Sequence, residues 1–199
     1  MPESTRTASV RRETRETTVS VELSLDGSGR YQVATGVGML DHMLEQLAKH
    51  GLLDLTVDAS GDIDRDPHHL VEDVGLVLGQ ALDRALGERR GITRFGHAVV
   101  PMDEALVLVA LDLGGRAHAG IAFKFERELL GQLPTENIGH FLAAFASEGR
   151  LNLHVRELAG ENDHHRIEAA FKGLALALRQ AVAIDGRVGG EIPSTKEAL

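Results

Sequence analysis

The sequence of 199 residues has no cysteine and no tryptophan, and only 4% of its residues are aromatic. Without cysteine the chain cannot form disulfides, use a thiolate nucleophile, or hold zinc or an iron–sulfur cluster through sulfur. The scarcity of aromatic side chains disfavours a base-stacking platform for nucleic acid. Acidic residues outnumber basic ones, giving a formal net charge of −9 at pH 7, so we expect no general role in nucleic-acid binding.

Long hydrophobic runs are also missing from the sequence. The longest, from Ala105 to Leu111, is far too short to span a bilayer. The first 17 residues are polar and lack the apolar centre of a signal peptide. Hydrophobic residues make up 43% and charged residues 26% of the chain, which is ordinary for a folded domain. We therefore expect a folded cytoplasmic protein that does not enter a membrane.

An order of strands, helix, strand and helix occurs twice along the chain. Alternation of apolar and polar residues predicts the strands, at 17–25, 31–35, 53–59, 96–101, 106–113, 120–125 and 151–158. Apolar residues at helical spacing predict the helices, at 40–51, 67–86, 134–149 and from 164 onward. Gly51, at the end of the first predicted helix, and Gly87, just after the second, suit the C-terminal ends of these helices.

Ten histidines are present, and several keep the same register in the two parts of the chain. His140 follows His42 by 98 positions, and His164 follows His68 by 96. We interpret this register as an internal duplication. The alternative is that the two parts merely share a common supersecondary order, which leaves the matched histidines unexplained.

The duplication predicts one domain over residues 1–199. Its two halves would cover about 6–90 and 91–190, followed by a C-terminal tail at 191–199. The predicted fold class is α+β, in which each half is a small mixed sheet with two helices on one face.

The matched histidines belong to two copies of the motif HHxxE, at 68–72 and 164–168, and each copy opens a predicted helix. Residues i and i+4 lie on one face of a helix, so the first histidine of each motif can share a cation with the glutamate. Adjacent residues point about 100° apart around a helix, so the second histidine cannot easily chelate the same ion. The second histidine of each motif must therefore serve another site.

Exchange between the motifs is the most economical arrangement, with His42 and His140 each adding a further ligand. The predicted ligand sets are His42, His68, Glu72 and His165, and His140, His164, Glu168 and His69. Imidazoles and a carboxylate without thiolate suit manganese, iron, cobalt, nickel or zinc. The spacing leaves open which metal is bound, and whether the motifs meet within one chain or between subunits. A lone helical histidine is more often structural, but two copies in register disfavour that interpretation.

These residues and the segments around them resemble the imidazoleglycerol-phosphate dehydratase family of histidine biosynthesis, over about residues 6–196. The matching segments include RETRET at 12–17, TGVGMLDHML at 35–44, HHLVED at 68–73, PMDEAL at 101–106, DLGGR at 112–116, TENIGHF at 135–141, GENDHHRIEAAFK at 160–172 and IPSTK at 192–196. The sequence departs from the family at Glu197, where glycine usually follows the IPSTK lysine.

The resemblance implies a fold, an assembly and a reaction. The fold is a duplicated α+β unit of the type named after the second domain of a small-subunit ribosomal protein. The assembly is a large octahedral homo-oligomer of twenty-four subunits, with two manganese ions in each active site and sites completed at subunit interfaces; other divalent transition metals are alternatives. The reaction converts D-erythro-imidazole-glycerol phosphate into imidazole-acetol phosphate, through an imidazolate bound between two metal ions.

The resemblance also assigns roles to individual residues. The metal ligands it implies are His42, His68, His69, Glu72, His140, His164, His165 and Glu168. The acid or base groups are Glu16 first, then Glu168 and Asp103. The substrate contacts are Gln46 and, for the phosphate, Arg94, Arg116, Lys172, Ser194 and Lys196. Taken alone, a glutamate within RETRET would be a solvated charge, so only the resemblance supports Glu16.

Two other functions remain as alternatives. A dinuclear hydrolase could use the same metal ligands on a phosphorylated small molecule, with a metal-bound water as the nucleophile. A non-catalytic assembly could use the metals only to join subunits or to buffer metal, but the predicted phosphate-binding residues would then have no task. The sequence leaves open the order of proton transfers and any regulation.

Overall fold

The computed structural model describes residues 6–196, so Glu197 lies outside the described residues. The first half contains β1 (Thr7–Glu13), β2 (Thr17–Ser24), β3 (Tyr31–Ala34), α1 (Gly38–Gly51), β4 (Asp54–Gly61) and α2 (His68–Leu86). The second half contains β5 (Phe95–Met102), β6 (Ala105–Asp112), β7 (His118–Ala122), the short strands β8 (Leu129–Leu130) and β9 (Leu133–Pro134), α3 (Glu136–Glu148), β10 (Asn152–Ala159) and α4 (Asp163–Ala181).

The two halves have the same sheet topology. The strand order is β1-β2-β4-β3 in the first sheet and β5-β6-β10-β7 in the second. In each sheet the last two strands of this order run parallel and the other neighbours run antiparallel. The β8–β9 hairpin belongs to the second half alone. This topology confirms the predicted α+β class with its duplicated unit.

The helices occupy the space between the two sheets. Alternate residues of β2 and β6, such as Val19, Val21 and Val107, are fully buried beneath them. Helix α2 packs on β1 and β2, and α4 packs on β5 and β6. Across the halves, α3 packs against α2 and α1 packs against α4. Each helix that opens with HHxxE therefore has a neighbour from the opposite half.

Close contact between α2 and α3 depends on two glycines one turn apart. A Cβ at Gly75 would lie 2.7 Å from the carbonyl oxygen of Phe141, and one at Gly79 would lie 2.6 Å from that of Phe145. Any side chain at these positions would force the helices apart. The two glycines thus set the distance at which α3 presents its histidine to α2.

Four strands differ from the sequence prediction. Two of them, β8 and β9, were not predicted, and β9 includes Pro134, which was predicted to open the third helix. Strand β1 lies in a segment predicted only as a polar terminus, because Val10 is its one buried side chain. Strand β7 spans His118–Ala122 rather than the predicted 120–125. None of the helices within residues 6–196 is long and apolar enough to cross a membrane.

Candidate active site

Both HHxxE motifs begin their helices in the same way. The side chain of Asp66 accepts the backbone N–H of His68 at 2.9 Å, and that of Asn162 accepts the N–H of His164 at 2.9 Å. Such caps satisfy amides that have no partner within the helix. They place the first histidine of each motif in the first turn, with its side chain on the face of the motif glutamate.

One group of potential metal ligands forms where α1 meets α4. The Nε2 atoms of His42 and His164 lie 3.5 and 3.1 Å from the same Glu168 oxygen, Oε2. These three ligand atoms all lie within 4.8 Å of one another. The two imidazole rings stack, with centroids 5.9 Å apart. We call these three residues the Glu168 cluster.

The other oxygen of Glu168 is held by Lys172, whose Nζ lies 2.8 Å from Oε1. Burial raises the pKa of Glu168, but the hydrogen bond and charge of Lys172, helped by His42, outweigh it, and the pKa falls below its ordinary value. The carboxylate therefore stays ionised next to the two histidines, as a metal ligand must.

A second group forms where α3 meets α2, and we call it the Glu72 cluster. The rings of His68 and His140 meet edge to face, with centroids 4.7 Å apart. His68 Nε2 lies 3.9 Å from Glu72 Oε2, on the shared i, i+4 face. The buried side chain of Asn137 contacts His68 Nδ1 through its Oδ1 at 3.0 Å.

Within one chain the third histidines are grouped differently from the sets expected from the sequence, which left open whether the motifs meet within a chain or between subunits. The sequence argument placed His42 with the first motif and His140 with the second, whereas the structure places His42 beside His164 and His140 beside His68. The physical reason is that α1 and α3 each pack against the motif helix of the opposite half. Whether the eight residues bind metal stays a prediction.

The second histidine of each motif lies against carboxylates of its own half. His69 Nδ1 is 3.2 Å from Glu16 Oε2 and 3.7 Å from Asp62 Oδ2. These three residues form a group of potential ligands of their own, apart from the Glu168 cluster. Within residues 6–196 of a single chain, His69 therefore does not complete the cluster of the other half.

His165 has the equivalent environment in the second half. Its Nδ1 lies 2.8 Å from Glu104 Oε2, and its Nε2 lies 3.7 Å from Asp103 Oδ2. The β5–β6 turn supplies both carboxylates, as the β1–β2 turn supplies Glu16. Sequence reasoning missed Glu104, Asp62 and Asn137. The sequence feature that could have identified Glu104 is its position beside Asp103 in the β5–β6 turn, which corresponds to the β1–β2 turn that contains Glu16.

The predicted phosphate-binding residues divide between two places. Those near the C-terminal end of α4 line one cavity of about 750 Å³, and they are Arg94, Arg116, Ser194 and Lys196. Arg94 is fixed there by Asp112, with Nε 2.7 Å from Oδ1, and its backbone N–H donates to the carbonyl of Ala181.

The fifth, Lys172, and the predicted substrate contact Gln46 lie near the Glu168 cluster. Gln46 Oε1 is 3.0 Å from His50 Nε2, and burial together with the charge of Lys172 lowers the pKa of His50. From Glu168 to Ala181, α4 extends about 20 Å at 1.5 Å per residue. One chain therefore holds the cavity lined by the predicted phosphate-binding residues and the Glu168 cluster at opposite ends of the same helix.

Comparison with known proteins identifies the family of the chain. A family model described as imidazoleglycerol-phosphate dehydratase matches residues 35–178. The chain belongs to the imidazoleglycerol-phosphate dehydratase family. A relative with that name from Roseiflexus sp. (strain RS-1) is 56% identical over the full length of both chains. Another from Methanothermobacter thermautotrophicus is 53% identical over 94% of this chain and 95% of its own.

Solved structures of the imidazoleglycerol-phosphate dehydratase family share the fold. The crystal structure from Staphylococcus aureus has a TM-score of 0.82 and 32% identity, covering 90% of this chain and 99% of that one. The structure from Pyrococcus furiosus has a TM-score of 0.83 and 37% identity, covering 96% and 100%. The chain is a hydro-lyase of histidine biosynthesis, as its family is.

Proposed function

We propose that the chain removes water from D-erythro-imidazole-glycerol phosphate to give imidazole-acetol phosphate, with two manganese ions in each active site. The observation that supports this proposal is the convergence of two imidazole nitrogens on one oxygen of Glu168, where all three ligand atoms lie within 4.8 Å. We infer that His68, His140 and Glu72 hold the second ion, because His68 contacts both of the others, although their ligand atoms are less closely grouped than those of the Glu168 cluster.

The donor groups fit such ions. Imidazole nitrogens and carboxylate oxygens suit manganese and related divalent metals, and no sulfur ligand competes for softer ones. The residues that would hold the metals are His42, His68, His69, Glu72, His140, His164, His165 and Glu168. When bound, the ions would act as Lewis acids toward the imidazole ring of the substrate, so that the ring can accept electrons.

The proton to be removed is weakly acidic, because its carbon is flanked by imidazole rather than by a carbonyl group. A positioned carboxylate must take it. Glu16 is our leading candidate, since its exposed side chain ends at the β1–β2 turn beside His69. Asp103, the corresponding exposed carboxylate near His165, is the next candidate. Glu168 is a further one, although Lys172 and two histidines already engage its oxygens.

The separation of the phosphate cavity from the Glu168 cluster supports assembly of the active site from several copies. Residues at the two ends of α4 cannot touch one small substrate, so Arg94 and Lys196 would serve the clusters of a neighbouring subunit. We therefore propose a homo-oligomer, octahedral by resemblance, located in the cytoplasm. Exposed apolar side chains on the outer face of the second sheet, including Phe95 at 56% and Val99 at 50%, provide a surface for such contacts.

Direct assay tests the proposed reaction. Protein stripped of metal and reloaded with manganese is incubated with imidazole-glycerol phosphate, and imidazole-acetol phosphate is measured against the stripped control. We expect turnover only after reloading. Absence of product with manganese, iron, cobalt, nickel and zinc alike would contradict the proposal. Release of inorganic phosphate without loss of water would instead indicate the dinuclear hydrolase.

A further inference from the structure

The carboxylate of Glu104 is held at both of its oxygens. Oε2 lies 2.8 Å from Nδ1 of His165. Oε1 accepts two backbone N–H groups from the loop that leads into α4, from Asn162 at 2.8 Å and from Glu161 at 3.2 Å. The turn after β5 is thereby tied to the segment that carries the second HHxxE motif.

This arrangement determines which nitrogen of His165 carries the proton. An ionised carboxylate can only accept hydrogen bonds, so Nδ1 must donate to it. Oε1 already accepts two backbone N–H groups, and a glutamate side chain is ordinarily ionised at neutral pH, so this carboxylate acts as a hydrogen-bond acceptor. Nε2 of a neutral His165 then carries a lone pair, which metal ligation requires.

We propose that Glu104 is a positioning residue that fixes the ring and tautomer of His165, so that Nε2 is presented as a metal ligand. The inference rests on the proposed function, because it assumes that His165 binds metal. Carboxylates that accept the second N–H of a ligating histidine orient the ring and strengthen its binding. Glu104 would act through His165 and would not itself touch the substrate.

Comparison with the corresponding β1–β2 turn of the first half explains why the positioning role is assigned to Glu104 and not to Glu16. Glu16 contacts His69 Nδ1 at the longer distance of 3.2 Å, and its side chain is 54% exposed. Within residues 6–196, no backbone N–H donates to the Glu16 carboxylate, whereas two donate to Glu104. The β1–β2 turn therefore leaves Glu16 free to move a proton, whereas the β5–β6 turn fixes Glu104 in place and leaves Asp103 exposed.

Manganese affinity measured by competition with a chelator tests the proposal. For Glu104→Ala we expect one of the two manganese ions to bind ten- to a hundred-fold more weakly. Glu104→Gln should stay within a few-fold of wild type, because its amide oxygen can still accept the Nδ1 proton. Glu161→Gln is the matched control, since it removes one charge from the cavity that Glu104, Glu161 and His165 line, and it should leave the affinity unchanged.

A double-mutant cycle separates positioning from a general structural effect. In the His165→Asn background, Glu104→Ala should cause no further loss of affinity. The same loss in both backgrounds would overturn the proposal, even if Glu104→Ala also changes the thermal unfolding of the metal-free protein. Unchanged manganese affinity in Glu104→Ala would overturn it as well. Wild-type protein that binds no manganese would overturn both this inference and the proposed function.

Discussion

The two halves share their topology and their histidines, yet the outer faces of their sheets differ in chemistry. At corresponding positions across the three antiparallel strands, the first sheet presents Arg11, Ser20 and Asp58, and the second presents Val99, Leu108 and Arg156. The inner faces of the sheets and the helices that carry the clusters have the same arrangement in both halves. We infer that the first outer face stays in water and that the second suits contact with another copy.

The clusters themselves also differ between the halves. Lys172 binds Glu168 in the second half, whereas Leu76 occupies the position one turn after Glu72 in the first. The Glu168 carboxylate is buried, and the Glu72 side chain is 43% exposed. A duplicated frame has thus produced two clusters with unequal charge and access to solvent, so equivalent substitutions should have unequal effects.

The largest difference between the two halves should appear when a charged side chain is introduced on the outer face of each sheet. Leu108→Asp places a carboxylate on the apolar face that we propose to lie between copies, and an unpaired charge there costs several kcal/mol per contact. We expect the assembly to break down and activity to fall with it, because on our proposal several copies complete each active site. Ser20→Asp is the matched control on the first sheet and should leave the mass measured by light scattering unchanged. If the two variants had the same mass by light scattering, the proposed difference between the two outer faces would be contradicted.

A second large difference should separate the two carboxylates at corresponding turns, Glu16 and Glu104. Glu16→Gln removes the leading proton-transfer group, and we expect kcat to fall about 10²- to 10⁴-fold while both manganese ions remain bound. Glu13→Gln, on the exposed end of β1, is the control and should be neutral. Full activity in Glu16→Gln would assign proton transfer to another group, with Asp103 the next to test.

Some of this organisation could be predicted from the sequence, since it depends on local spacing. The i, i+4 relation within HHxxE and the register of the duplicated histidines both rest on helical geometry, and the strands with several inward apolar residues were found. Strand β1 was missed because Val10 is its single buried side chain. The partners of His42 and His140 depend on which helices pack together. Which helices pack together is determined by the tertiary structure and not by local spacing. In the sequence, Gly75 and Gly79, which allow α2 and α3 to approach closely, are the clearest indication of it.

The difference between the Glu168 and Glu72 clusters predicts a smaller effect, which should appear in KM. Lys172→Met removes a charge-assisted hydrogen bond to Glu168 and a contact to the substrate phosphate that the family resemblance implies. We expect KM for imidazole-glycerol phosphate to rise about tenfold or more, since hydrogen bonds to charged groups contribute about 1.5–3 kcal/mol. Leu76→Met at the corresponding position should change KM little, because it conserves volume and charge. Equal KM values for the two variants would remove Lys172 from the substrate site.

The smallest difference concerns acid stability at another corresponding pair, Asp54 and Asn152. Asp54 accepts hydrogen bonds from the Arg30 side chain and from the backbone N–H groups of Ser28 and Arg30, and these hold its pKa well below the ordinary value. Asn152 instead donates to the carbonyl of Arg116, so it does not titrate.

Because the folded pKa of Asp54 is lowered, its contribution to stability is present above about pH 4 and is lost as pH falls toward the folded pKa. We expect Asp54→Asn to lower the free energy of unfolding by about 1 kcal/mol at pH 7, a modest value because the pair is near the surface. The deficit should shrink steadily in urea denaturation curves recorded from pH 5 to pH 2. A deficit that stayed constant with pH would mean that shape, rather than the charge of Asp54, holds the β2–β3 loop, and the two halves would then not differ in acid sensitivity at this position.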